Sequence, residues 1–130
     1  SNFMGRWEFI SHNPSVLCDS AHNEDGIRLA MNALSQIPHK KLHFVFGTVN
    51  DKDPDKVLAM LPQNATYYFA KANIPRGLDA AKLAELAASF GLRGKAYSSV
   101  RKALAAAKLR AEADDLVFVG GSIFVVAEVI

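Results

Sequence analysis

Two rhythms of apolar residues alternate along this chain. Short unbroken runs are separated by longer stretches in which apolar positions recur every three or four residues. The run SVLCD (15–19) is too short for a helix and reads as a buried strand. Beyond it, Ile27, Ala30, Met31, Leu34 and Ile37 fall at i, i+3, i+4, i+7 and i+10, one face of a helix. Asn23 can cap that helix, Glu24 and Asp25 suit the positive end of its dipole, and Pro38 stops it. LHFVFG (42–47) is a second strand ending in glycine, and TVNDKDP (48–54) is a polar turn whose proline suits the start of a helix through Leu61. The aromatic run ATYYFA (65–70) predicts a third strand, and NIPRG (73–77) is loop chemistry. Asp79 can cap a helix carrying Leu83, Leu86, Ala87 and Phe90, with Gly91 as its stop. A short strand near Lys95–Tyr97 follows. Ser98 or Ser99 then caps an alanine-rich helix to about Ala111, built on Val100, Ala103, Leu104 and Ala107. LVFVGG (116–121) is a last apolar run with a glycine break, followed by SIFVVAEVI (122–130).

Strand and helix in alternation predict an α/β fold: a doubly wound, mostly parallel sheet of five or six strands with helices on both faces. Strands apolar throughout, such as FVF and LVFV, suit a sheet covered on both sides. Ligands in such folds bind beyond the carboxyl ends of the strands. Three polar or glycine-rich segments emerge there: D-S-A-H-N (19–23), G-T-V-N-D-K-D (47–53) and G-G-S (120–122). They are expected to converge on one edge of the sheet and to contain the site.

Composition narrows the setting. The length of 130 residues fits one domain, and 50% hydrophobic with 22% charged residues is ordinary globular usage. A net charge of +2 is too balanced for a generic nucleic-acid or anionic-membrane surface. One cysteine cannot form an internal disulfide, so a reducing, cytoplasmic setting is expected. No apolar run approaches the roughly 20 residues of a membrane span. Neither G-x-G-x-x-G nor G-x-x-x-x-G-K-[ST] occurs, so a triphosphate cradle would have to come from outside this chain.

Candidate chemistry concentrates at the first strand end. Asp19, at the end of a buried strand, can cap the turn or accept hydrogen bonds from a ligand's hydroxyls, and the pattern does not choose between the two. His22 stands in a row of polar residues that favours a site. Cys18 and His22 lie four apart, but Cys18 falls inside the apolar strand and reads as a small buried hydrophobe, not a nucleophile. The histidines His12, His22, His39 and His43 show no metal-type pairing, and no metal site is expected here. Asp51, Lys52 and Asp53 read first as a solvated turn. Gly120-Gly121-Ser122 would let a ligand or a neighbouring backbone approach closely. The alanine face at 103–107 and the aromatics at 67–69 read as core. Residue patterning reaches a nucleotide-sized site on an α/β domain, and no reaction.

A resemblance goes further. Gly5-Arg6-Trp7-Glu8, Pro14, D-S-A-H-N (19–23) and Gly26 resemble the opening of the C-terminal domain of the folylpolyglutamate synthase/dihydrofolate synthase family, within the Mur-type ligases with their Rossmann-like C-terminal domain. The similarity continues through G-T-V-N-D-K-D (47–53), A-T-Y-Y-F-A-K-A-N-I-P-R (65–76), and D-D-L-V-F-V-G-G-S with V-A-E-V (114–129). It implies an ATP-dependent amide ligase in which ATP phosphorylates a carboxylate of folate or dihydropteroate and L-glutamate attacks the acyl phosphate. It implies that residues 1–130 are the C-terminal domain, with residues 1–7 an interdomain segment or a cloning remnant. The phosphate loop and Mg2+ ligands would lie in an N-terminal ATPase domain, so this chain alone is expected to be inactive. Arg6 matches the arginine that contacts the ATP phosphates, and Asp19 the aspartate that binds the nucleotide. His22 and Ser122 match positions on the glutamate side of the cleft, carried here as the catalytic candidates. Asn23 and Lys52 match motif positions without an assigned duty, and Ser20 replaces a glycine common in relatives. A monomer without nucleic-acid or membrane partners is expected. The alternative is a free-standing, non-catalytic nucleotide-binding or regulatory module.

Overall fold

A computed structural model describes residues 5–50 and 53–130. The expectations for Ser1-Asn2, Asp51 and Lys52 lie outside the described residues. Eleven elements follow in order: β1 (Glu8–Ser11), β2 (Ser15–Asp19), α1 (Glu24–Leu34), β3 (Leu42–Phe46), α2 (Pro54–Leu58), β4 (Thr66–Phe69), α3 (Ala80–Ala88), β5 (Arg93–Ala96), α4 (Val100–Arg110), β6 (Leu116–Gly120) and α5 (Ile123–Ala127). They build one six-stranded sheet in the order β1-β2-β6-β3-β4-β5. The edge strand β1 runs antiparallel to β2, and every other pairing is parallel. The expected doubly wound sheet is the one observed.

Period-2 alternation within fully buried strands supplies two cores. Leu42, Phe44, Phe46, Leu116 and Phe118 face α1, α2 and α3 through Ile27, Leu34, Leu58, Leu83 and Ala87. The intervening Val45, Val117 and Val119 face α4 and α5 through Val100, Ala103, Ala107, Val125 and Val126. The alanine stripe of α4 is thus core. So are Tyr67, Tyr68 and Phe69, each at most 1% exposed.

The helix caps stand where the polar residues placed them. Asn23 accepts from the Gly26 amide, Asp79 from Lys82, and Ser99, not Ser98, from Lys102. Gly91, at φ +78°, follows α3 while the Leu92 amide reaches back to the Ala87 carbonyl, a left-handed C-terminal closure. Three expectations change. Helix α1 ends at Leu34, not near Pro38, and Ile37 packs on the same core from the turn beyond it. Helix α2 ends at Leu58, with Met60 and Leu61 closing tight turns onto Val57 and Leu58. The short strand starts two residues earlier than expected, at Arg93.

Two further elements come from tertiary context. Strand β1 is a half-exposed hairpin partner of β2. Helix α5 grows from Ser122, whose hydroxyl accepts the Phe124 amide at 3.0 Å. Gly121, at φ +105°, makes the sharp turn between β6 and α5. A Cβ there would collide with the Gly47 carbonyl oxygen and lie 2.6 Å from the Phe46 ring, so the glycine serves a close backbone approach.

Candidate functional site

After β2 the chain turns into α1 on one face, and after β6 into α5 on the other. The carboxyl ends of these neighbouring strands therefore form the switch point of the sheet, the usual place for a ligand crevice. The register puts Asp19 beside Gly120 and Gly120 beside Phe46, so segments 19–23, 47–50 and 120–122 emerge together. The loops after β3 and β4 are stitched to each other. Asn50 donates to the Arg76 carbonyl at 2.5 Å, Leu78 donates to Thr48 at 2.9 Å, and Val49 bridges Gly77.

A pocket of about 370 Å³ opens at this edge, with Arg6, Asp19, Ser20, His22, Asn23 and Gly26 in its wall and Leu29, Ala30 and Ala33 of α1 behind. Asp19 performs the first of the two jobs its position allowed, and it also ties down the segment before β1. Its Oδ1 accepts from the Ala21 amide at 2.8 Å, turning the chain toward α1, and its Oδ2 accepts from the Trp7 amide at 3.0 Å. Each carboxylate oxygen retains acceptor capacity, so a ligand hydroxyl can still be received. Arg6 is held from both sides. Gly5 packs against Val126 of α5, and the Trp7 ring lies 6.2 Å from that of Phe118. Arg6 itself is an exposed residue on the pocket wall. His22 is exposed on the same rim. Ser122 stands apart from this pocket. It is 3% exposed at the end of β6, and its hydroxyl caps α5.

The loop after β4 adds a second guanidinium at this end of the sheet. Arg76 lies over the Phe124 ring at 5.8 Å from its centroid, a placement that patterning did not single out. Asp53 caps α2 by accepting the Asp55 amide at 3.1 Å. Cys18 is fully buried, and burial, then the Glu8 and Asp19 carboxylates, push its thiol up to about 12. A thiol held there stays protonated at neutral pH and is no nucleophile. Among the described residues no three His, Cys, Asp or Glu side chains gather as metal ligands, and no helix is long and apolar enough to cross a membrane.

The opposite end of the sheet holds a network that no local pattern predicts. His43 on β3 contacts Asp115 Oδ2 through Nε2 at 2.9 Å and the Tyr68 hydroxyl through Nδ1 at 2.8 Å. The arrangement is consistent when Nε2 carries the proton toward the carboxylate and Nδ1 accepts from Tyr68. Burial works to raise the Asp115 pKa, but the Glu112 amide, the His43 ring and the Lys41 amide together hold it below the ordinary carboxylate value. This cluster lies at the amino ends of the strands, so it belongs to the scaffold and not to the strand-end site.

The chain is similar to proteins of known family. The family model described as Mur ligase, glutamate ligase domain, matches residues 5–123. A probable bifunctional folylpolyglutamate synthase/dihydropteroate synthase of Haloferax volcanii is 36% identical over 129 residues, covering 98% of this chain and 15% of its own length. The dihydrofolate synthase/folylpolyglutamate synthase of Escherichia coli K12 is 34% identical over 127 residues, covering 96% of this chain and 29% of its own length. A solved Yersinia pestis bifunctional folylpolyglutamate synthase/dihydrofolate synthase, complexed with AMPPNP and a manganese ion, superposes with a TM-score of 0.85 at 32% identity, over 98% of this chain and 30% of that one. This chain thus spans less than a third of the length of each of these relatives. With a family model matching most of its length and relatives above 30% identity across nearly all of it, the chain belongs to the Mur ligase, glutamate ligase domain, family.

Proposed function

We propose that this chain is the C-terminal domain of a cytoplasmic, monomeric, ATP-dependent ligase that joins L-glutamate to folate or dihydropteroate. It would contribute one wall of a cleft whose other wall is an N-terminal ATPase domain. The observation that carries this reading is the pocket at the switch point, where Arg6, Asp19 and His22 converge. A volume of about 370 Å³ lies at the small end of ligand sites, as expected for half of a cleft. ATP supplies the phosphoryl group that activates a carboxylate, and the phosphate loop and Mg2+ ligands are assigned to the N-terminal domain. On this side Arg6 spreads a guanidinium over phosphate oxygens, and Asp19 receives nucleotide hydroxyls on the oxygens that also hold Trp7 and Ala21. His22 and Ser122 are assigned to the glutamate side, with Ser122 acting from a fixed position because its oxygen is tied to α5.

The double duty of Asp19 makes a test. In the full-length ligase, Asp19→Ala removes a ligand acceptor worth roughly 1.5–3 kcal/mol, so the apparent KM for ATP should rise about ten- to a hundredfold. Turnover should fall as well, because the same substitution frees the segment carrying Arg6. Asp19→Asn keeps one oxygen for the Ala21 amide and should show a smaller change in both. ATP titrations and melting curves on the two variants check this. A lower melting temperature with unchanged ATP kinetics would reduce Asp19 to a turn former.

A further inference from the structure

The amino-terminal end of the sheet carries a second concave site, larger than the first. About 630 Å³ of space opens there across the starts of β3, β4 and β5, beside the last turn of α4. Its lining includes Lys40, Lys41, Arg93, Lys95 and Arg110 and no Asp or Glu. One third of the chain's fifteen Lys and Arg thus gather round one cavity in a molecule whose net charge is only +2. Among the described residues, none of the five is within salt-bridge distance of a carboxylate.

Strand parity and helix placement explain the convergence. Arg93 and Lys95 pair in register with Thr66 and Tyr68, so they share the sheet face of Tyr68, which is the α4 face. Helix α4 packs on β3 and β4 there and leaves all four residues of β5 exposed. Arg110 closes the opposite wall beside Tyr68, whose hydroxyl is fixed by His43. Helix dipoles do not account for the cluster, because Lys40, Lys41, Arg93 and Lys95 lie outside the last turn of any helix. Unpaired like charges facing one cavity repel one another, and an anion between them removes that repulsion.

We propose that this groove binds a compact multivalent anion, a polyphosphate or a short polycarboxylate, at the end of the sheet opposite the switch-point pocket. The proposal does not rest on the ligase reading.

The test titrates this chain with inorganic tripolyphosphate in one arm and tri-γ-glutamate in the other, by calorimetry and by amide chemical shifts. Saturable binding of either anion at one equivalent is expected, with shifts confined to residues 40–42, 63–67, 93–97 and 110. The anion bound more tightly identifies the phosphate or the carboxylate source. The double variant Arg93→Glu/Lys95→Glu should weaken binding about tenfold or more, as should Lys40→Glu/Lys41→Glu on the other wall. Lys102→Glu/Lys108→Glu, the same charge change outside the groove, should leave affinity within about twofold. Melting curves confirm that each variant folds. Shifts scattered over the surface, equal weakening by all three pairs, or no binding of either anion at millimolar concentration would overturn the proposal.

Discussion

Replacing Arg6 with alanine in the full-length ligase is expected to lower turnover about a hundred- to a thousandfold, with a smaller rise in the KM for ATP. The size follows from what one preorganised donor aimed at developing charge is worth in a closed cleft. Preorganisation is visible in the chain itself. Gly5 is seated on Val126, the Trp7 amide is fixed on Asp19, and the Trp7 ring rests near Phe118, so the backbone on either side of Arg6 has little freedom. An interaction that strengthens as the phosphoryl group moves appears in turnover more than in ground-state affinity. Arg6→Lys should recover only part of the loss, because an ammonium keeps the charge without the planar fork. Equal kcat for wild type and Arg6→Ala would remove Arg6 from the site.

The largest effect on stability is expected at the other end of the sheet. Asp115→Ala should cost about 3 kcal/mol at neutral pH, because it leaves the buried His43 ring and the Lys41 and Glu112 amides without their acceptor, at roughly 1–3 kcal/mol for a buried unsatisfied donor. The pH dependence has a definite sign. The folded-state pKa of Asp115 is held below the ordinary value, so its contribution is fully present above the unfolded carboxylate pKa of about 3.9. That contribution is lost as pH falls through the lower, folded-state value. Urea unfolding at a series of pH values should show the gap between wild type and Asp115→Ala shrinking in that acid window. ATP kinetics of the variant should be unchanged wherever it remains folded, because a strand of five residues, about 17 Å, separates this network from the switch point. A variant as stable as wild type at pH 7 would contradict the network.

The elements that local chemistry dictates were legible in the sequence: strands with unbroken apolar runs, helices with a 3.6-residue period, and the caps at Asn23, Asp79 and Ser99. What escaped was non-local. Phe9 and Ile10 of β1 sit among polar residues on a half-exposed edge, so only pairing with β2 makes them a strand. The run IFVVA is β-branched and reads as strand by propensity, yet it forms α5 because Ser122 caps it and the sheet face beside α4 has room for its valines. The sharp turn at Gly121 has the same origin, since its partner is the backbone of Gly47 on another strand. His43, Tyr68 and Asp115 lie 25 and 72 residues apart, and only the sheet register joins them. At the site, the strand-end argument located Asp19 and His22 but left the duty of Asp19 open. The structure shows the carboxylate holding both the turn and the Arg6 segment, the second a contact between distant parts of the chain that no local pattern reveals. It also separates Ser122 from their pocket, which spacing alone could not reveal.

The proposed role of this chain is to form one wall of a two-walled ligase cleft. Its most direct test measures ATP- and L-glutamate-dependent ligation of folate or dihydropteroate, read as ADP release together with the mass of the glutamylated product. The full-length protein and residues 1–130 alone are assayed side by side. Glutamylated product is expected from the full-length protein and none above background from the isolated chain, which lacks a phosphate-cradling loop. Ligation by the 130-residue chain alone, or none by a folded full-length protein, would contradict that role.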